Sequence, residues 1–285
     1  MGRFSDEEWG VMSYLLHERY GLVFEGSRRD FLEERLAARI ERLGMGTLTE
    51  YCHYLRFHPD RAAELLQFQD LVTNNESYFF RDRQRIEMLA LEAVPLLLKS
   101  RLKSRATSFT QPPLRILSAG CASGEEPYSL AIALRAAGIG PPGIAWEIFA
   151  IDISGHRITQ AKEATYAEPS VRDCDESTLG HYFLREGERF VLRPEYRRGV
   201  QIFEGNILGE PTAPEPASYD VIFCRNVLIY FSELSMSRAI ARFHRSLSPG
   251  GLLFLGHSEL LLGRQDFEPV RLNRGLVYRK VEVAA

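Results

Sequence analysis

Two adjacent carboxylates, Glu125 and Glu126, close a run of small residues, Ser118-Ala119-Gly120-Cys121-Ala122-Ser123-Gly124. Small side chains let a ligand approach the backbone closely, and Pro127 suits the first turn of a helix that begins there. A turn built for a pyrophosphate would read G-x-G-x-x-G, and this one does not. Two acids at that place repel an anion and suit a cation. The competing reading is that acids simply favour a helix N-terminus, and on the loop alone both readings stand. A third acid, Asp152, follows the apolar run 146–151. An acid after the second strand of a nucleotide-binding sheet hydrogen-bonds ribose hydroxyls; its alternative is a turn or cap acid, in competition with Ser154. The three acids together favour an adenosyl cofactor with a cationic centre. S-adenosylmethionine carries a sulfonium and an ammonium.

Such acids need a frame. After Pro113 the chain alternates short apolar runs with helical ones. Strands are predicted at 114–117, 146–151, 219–224, 252–256 and 276–281, with helices at about 125–137, 154–164 and 232–247. Alternation of this kind predicts a mostly parallel sheet covered on both faces. The last two strands have no helix between them and are expected to pair antiparallel. Residues 180–202 read as an inserted β-rich excursion, with Phe190-Val191-Leu192 and Val200-Gln201-Ile202 flanking a turn.

The front of the chain reads helical. Ser5 with Glu8 forms a capping box before the periodic run 9–20, which Gly21 stops. Ser27 is expected to cap a second helix ending before Gly44. Thr47 or Thr49 opens a third, broken by Pro59, and a fourth covers about 60–72. A fifth is expected over 83–103, and the polar stretch 104–113 reads as a linker. The division is therefore a helical domain at 1–72, a connecting segment at 73–113, and an α/β domain at 114–285 with a β-subdomain at about 180–202.

A net charge of −3 over 285 residues argues against a dedicated nucleic-acid binder. Cys52, Cys121, Cys174 and Cys224 form no CxxC pair, which points away from disulfides and zinc and toward the cytoplasm. No apolar run spans a bilayer, and the polar start is unlike a signal peptide.

Five separated segments occur in order: TNNESYFFRD at 73–82, SAGCASGEEPYS at 118–129, FAIDIS at 149–154, IFCRNVLIYF at 222–231 and SPGGLLFLGHSE at 248–259. Together they resemble the CheR family of chemotaxis-receptor glutamate O-methyltransferases over nearly the whole chain. The resemblance implies a small all-helical N-terminal domain and a Rossmann-like methyltransferase domain with a mixed sheet and a small β-subdomain. It implies methyl transfer from S-adenosylmethionine to glutamates of chemoreceptor cytoplasmic coiled coils, with S-adenosylhomocysteine as product. Nothing in the sequence demands more than a monomer. Carried over by motif, the cofactor contacts fall on Asn75, Ser77, Arg81, Glu125, Asp152, Asn206, Ile207, Arg225 and Asn226. Ser77 stands where the family has Thr and keeps the hydroxyl. Tyr230 falls on the family's active-site tyrosine. Members that dock on a receptor's C-terminal pentapeptide have a longer glycine-containing loop where this chain has only Arg185-Glu186-Gly187-Glu188-Arg189, which implies independence from that tether.

A glutamate carboxylate, with a pKa of about 4.3, is ionised near neutral pH, so the chemistry needs no general base. Alignment and replacement of water carry the catalysis. Arg81 is assigned to carboxylate charge and Tyr230 to the methyl sulfonium. His257 is read as a structural hydrogen-bonding residue, Phe79 and Phe80 as core, and Cys121 and Cys224 as small apolar fillers. On the second helix Arg28, Arg35, Arg39 and Arg42 fall within an arc of roughly 60°. That stripe suits an acidic coiled-coil partner; equally, the arginines snorkel along an amphipathic flank. The competing functional classes are a non-catalytic adaptor that binds S-adenosylmethionine or its product, a methyltransferase for RNA or a small molecule, and a nucleotide-dependent dehydrogenase.

Overall fold

The computed structural model describes residues 4–73, 76–104, 112–140, 143–209, 219–261 and 263–281. It divides into two compact units, one of residues 1–75 with 227–239, the other of 76–226 with 240–285.

The first unit contains α1 (Asp6–Tyr20), α2 (Ser27–Arg42), α3 (Leu48–Phe57) and α4 (Arg61–Val72). Local signals set most of the boundaries. The Ser5–Glu8 box opens α1, and Gly21 closes it in the left-handed conformation that costs glycine little. Thr47 and Glu50 form a second capping box on α3. Ser27, in contrast, caps nothing. It is the first helical residue of α2, and the cap position is Gly26 at φ 54°. Met12, Leu16, Leu32, Leu36, Ile40, Leu48 and Phe68 fill the core, with the Phe68 ring 6.0 Å from those of Tyr20 and Tyr51. The chain after α1 pairs with the segment from 229 to 232. Leu22 bridges Phe231, Val23 N–H donates to the Tyr230 carbonyl at 2.9 Å, and Ser232 N–H donates to that of Gly21 at 3.0 Å.

In the second unit one long helical run comprises α5 (Arg83–Met88), a π-helical turn at Leu89–Ala93, and α6 (Val94–Ser104). There follow β1 (Leu114–Ala119), α7 (Glu125–Ala136), β2 (Trp146–Asp152), α8 (Gly155–Glu163), β3 (Thr165–Tyr166), α9 (Glu168–Val171), α10 (Glu176–Tyr182), β4 (Phe183–Glu186), β5 (Arg189–Leu192), α11 (Pro194–Arg197), β6 (Val200–Glu204) and β7 (Tyr219–Cys224). The chain ends with α12 (Glu233–Ser246), β8 (Leu247–Leu255), β9 (Phe267–Leu272) and β10 (Gly275–Lys280). The main sheet has the order β6-β2-β1-β7-β8-β10-β9. Its pairs are parallel from β6 through β8 and antiparallel at β8-β10 and β10-β9. β1 and β7 are the two central strands, buried along almost their whole length. The strand order reverses between them, so their carboxyl ends form the topological switch point where α/β sheets bind ligands.

Two expectations about strands need correction. Val200–Ile202 does not pair with Phe190–Leu192 across a turn. It lies in β6, which runs parallel to β2 in the main sheet, while the small sheet is β3-β5-β4. The antiparallel edge also contains a strand absent from the sequence reading, β9, with Pro269 inside it. An edge strand tolerates a proline because one row of its backbone groups lacks a sheet partner in any case.

Candidate functional site

The loop after β1 is held in place by its neighbours. Gly120 and Cys121 N–H donate to the Ile151 carbonyl at 2.8 and 3.0 Å. Ala122 N–H donates to one Asp152 oxygen at 2.8 Å, and the other accepts from Ser154 N–H at 2.9 Å. Tyr166 hydroxyl donates to the Ser123 carbonyl at 3.0 Å. Asp152 thus shapes the loop as well as standing at the end of β2, and Ser154, not Asp152, caps α8. Ala122 adopts φ 46°, one of five non-glycine residues at positive φ among the described residues. Phe80, Asp82 and Asn226 are three of the others, and all three fall within the quoted motifs. Left-handed backbone is costly for a bulky residue such as Phe80, and strain of this kind concentrates at functional sites.

The paired acids separate into different roles. Glu126 Oε1 accepts from the Ser118 hydroxyl at 2.7 Å, and its Oε2 from Arg225 at 3.1 Å. Burial raises its pKa, and Arg225 and Ser118 oppose the rise. It is a structural acid, not half of a cation site. Glu125 is 1% exposed. Its Oε1 accepts from the hydroxyls of Ser123 at 3.0 Å and Ser170 at 2.9 Å, and the nearby Ser77 also favours the ionised form. Among the described residues its Oε2 has no hydrogen-bond partner. Burial holds this carboxyl above the ordinary range, opposed by hydrogen bonds from backbone and serines, with no cation among the causes.

Arg225, assigned by motif to the cofactor, has its side chain turned inward, only 3% exposed. The guanidinium lies 3.3 Å from Asp82 and 3.1 Å from Glu126, and donates to the Arg81 carbonyl at 2.9 Å. It therefore fixes the turn that carries Arg81. Asp82 Oδ2 also lies 3.0 Å from Arg85 and 3.2 Å from His257 Nδ1, so His257, 73% exposed at its side chain, sits against a structural carboxylate. Arg81 itself donates to the Glu76 carbonyl at 2.8 Å, with its guanidinium 5.7 Å from the Tyr78 ring centre. Phe79 is fully buried, edge-on to Tyr166 and Phe183, and Phe80 is buried beside it. Burial pushes the Cys121 and Cys224 thiols well up, so they serve as inert filler.

Asn226 N–H and Gly256 N–H both donate to Glu259 Oε2, at 3.1 and 2.7 Å. This buried acid joins the ends of β7 and β8. It ends the GHSE segment, where its type and position alone assign it no role. Ser170 carries no motif signal at all. Asn206 and Ile207 follow β6, where Asn206 Oδ1 accepts from Leu208 N–H at 2.8 Å and Ile207 is buried. Asn75 lies outside the described residues.

Tyr230 belongs to the helical unit. There Arg28 donates to the Ile229 carbonyl at 2.6 Å, and its guanidinium lies 5.6 Å from the Tyr230 ring centre. The rest of the α2 stripe is mostly consumed internally. Arg39 forms a two-pronged pair with buried Glu64 at 2.9 and 2.5 Å, and Arg35 donates to the Asp70 carbonyl at 3.2 Å. Arg42 is exposed. The four do not form one exposed docking face, because α4 packs beside α2 and takes up two of them.

The residues present fit an S-adenosyl cofactor on one structural count. Glu125 offers a buried carboxylate oxygen without a partner among the described residues, at the switch point and in a loop of small residues. Asp152, Ser77, Asn206, Ile207 and the main chain at Arg225 and Asn226 would line the remainder. A switch-point site with acids in place of a phosphate turn defines the S-adenosylmethionine-dependent methyltransferases. Residues 75–275 match the profile of the CheR methyltransferase SAM binding domain, and residues 8–73 that of the CheR methyltransferase all-alpha domain. The chain belongs to the CheR methyltransferase family. Chemotaxis protein methyltransferase 2 of Vibrio cholerae is 34% identical over 244 residues, 85% of this chain and 82% of that one. Chemotaxis protein methyltransferase 1 of Pseudomonas aeruginosa is 31% identical over 281 residues, 96% of this chain and 98% of that one. A probable biofilm formation methyltransferase, WspC of Pseudomonas putida, is 34% identical over 270 residues, 94% of this chain but 60% of that one.

Proposed function

We propose that this chain methylates glutamate side-chain carboxylates on the cytoplasmic coiled coils of chemoreceptors, giving glutamate methyl esters and S-adenosylhomocysteine. The observation that carries the reading is the buried Glu125 carboxylate, held by hydroxyls rather than by a cation, inside a chain of the CheR methyltransferase family. S-adenosylmethionine, when bound, supplies a methyl group on a positively charged sulfur. The acceptor carboxylate is already ionised, so its oxygen forms the new bond to the methyl carbon as the carbon–sulfur bond breaks, and no proton has to move. The protein's part is placement. Glu125 holds positive charge of the cofactor, Asp152 the ribose hydroxyls, and Arg81 the carboxylate charge. By the family's motif Tyr230 is assigned to the sulfonium, and within its own unit its ring lies against Arg28. The enzyme works in the cytoplasm as a monomer.

Tether independence is part of the proposal. β4 and β5 pair antiparallel down to Glu186–Arg189, so only Gly187 and Glu188 make the turn, with Gly187 at φ 61°. A two-residue hairpin of this sort is tight and has no loop to spare for a docked peptide.

The test is incubation with methyl-labelled S-adenosylmethionine and chemoreceptor cytoplasmic fragments with and without the C-terminal pentapeptide. Label released as methanol by mild base establishes a carboxyl ester, and base-stable label overturns the acceptor assignment. Equal rates on the two fragments support tether independence, and strong dependence on the pentapeptide refutes it.

A further inference from the structure

The segment after β6 carries two of the expected cofactor contacts, Asn206 and Ile207. Its place is set by β6, which runs parallel to β2 with Glu204 opposite Asp152. Gly205 N–H donates to the Asp152 carbonyl at 2.8 Å, so the segment leaves the sheet beside the acid assigned to the ribose. It then turns sharply. Asn206 Oδ1 accepts from Leu208 N–H at 2.8 Å, and Gly209 N–H donates to the Asn206 carbonyl at 3.1 Å. A Cβ on Gly209 would stand 3.2 Å from that of Asn206.

The turn leaves three backbone carbonyls, those of Asn206, Ile207 and Gly209, converging on one point. A single guanidinium nitrogen of Arg242, on α12, donates to all three, at 3.0 Å from Asn206 and 3.1 Å from Ile207, with Gly209 the closest. Three carbonyl dipoles aimed at one place repel one another unless a cation fills it. We propose that Arg242 is a positioning residue for cofactor binding. It holds the 206–209 turn so that Asn206, whose carbonyl and amide oxygens are both used inside the protein, presents its amide –NH2 to the adenosyl group. None of the five motif segments includes Arg242. The proposal rests on the cofactor reading above and deepens it.

The test is calorimetric binding of S-adenosylhomocysteine to the full chain and to Arg242→Met and Arg242→Lys, with steady-state kinetics on a receptor fragment. Arg242→Met keeps the bulk of the side chain but not the charge, and should weaken S-adenosylhomocysteine by about 10–100-fold, with KM for S-adenosylmethionine rising in step. At saturating cofactor kcat should stay within about threefold of the parent and KM for the receptor should not move, which separates lost cofactor placement from general damage. Arg242→Lys brings three hydrogens on one nitrogen and should restore binding to within about fivefold. Met binding within about twofold of the parent overturns the proposal, as does Lys binding no better than Met. If Arg242→Met does not fold, the Lys variant decides alone: native melting with binding weakened about tenfold or more overturns the proposal, and binding within about fivefold upholds it. A parent protein that does not bind S-adenosylhomocysteine removes the cofactor reading itself, whereas a parent that binds and a Met variant equal to it removes Arg242 alone.

Discussion

Glu64 in the helical unit and Glu125 in the α/β unit are both buried acids, 5% and 1% exposed. Their surroundings differ. Glu64 receives two bonds from Arg39 and a third, at 2.6 Å, from the Tyr51 hydroxyl. Glu125 receives serine hydroxyls on one oxygen and, among the described residues, nothing on the other. The arginines differ in the same way. Arg39 closes on a carboxylate, while Arg81 contacts a carbonyl and a ring. A buried charge closed by its counter-charge is scaffold. One held in place without its counter-charge is a site waiting for a ligand of opposite sign, because burying it unpaired costs stability that only binding returns.

The comparison can be broken by mutation. Glu64→Ala should cost about 3–5 kcal/mol of folding stability by urea or thermal unfolding, since it strands Arg39 and the Tyr51 hydroxyl. S-adenosylhomocysteine affinity of the folded fraction should be unchanged, and a loss of affinity without a loss of stability would make Glu64 a site residue. Arg81→Ala should lower methyl transfer about 100-fold or more with little change in melting. A fully active variant would remove Arg81 from the reaction. Glu125→Gln should weaken S-adenosylhomocysteine by about 10–100-fold while leaving the ligand-free protein as stable as the parent or more so. A destabilised Gln variant with normal affinity would put Glu125 in the same class as Glu64.

Much of the scaffold was readable in one dimension because its signals are local. Capping boxes, the Gly21 stop, the strand ends and the small-residue loop each lie within a few consecutive residues. The distinction between Glu125 and Glu126 was not readable. Consecutive helical residues point about 100° apart, so which of the two faces the site depends on how α7 is rotated against β1. The α2 stripe failed for a related reason. Periodicity shows that Arg35 and Arg39 share a face, but only packing shows that Glu64 and the Asp70 carbonyl, far along the chain on α4, occupy it. Ser170 donates to Glu125 across 45 residues of sequence, and no spacing rule connects them. β9 escaped because its alternation is weak and it contains Pro269, a residue that disqualifies a central strand but not an edge.

The smallest effect is also the most specific to Glu125. Burial raises its pKa above the ordinary carboxylate value, and the hydrogen bonds from backbone and serines only partly offset that rise. In the ligand-free protein, then, the stability tied to the protonated form is fully present below the unfolded-state value and is lost as pH rises toward the raised one. A ligand with an ammonium group favours the ionised form and draws the pKa back down. Affinity for S-adenosylhomocysteine should therefore climb as pH rises through the same window, by at most about tenfold per pH unit for one proton, and level off above it. Binding inside the window should release protons, seen as a dependence of the calorimetric heat on the ionisation enthalpy of the buffer. Glu126 is also raised by burial, but it keeps its Arg225 partner with or without ligand, so its contribution cancels from the binding equilibrium. The slope should accordingly vanish in Glu125→Gln. A slope that survives there would move the titrating group to another residue, and a flat profile in the parent would mean that Glu125 meets no cation when ligand binds.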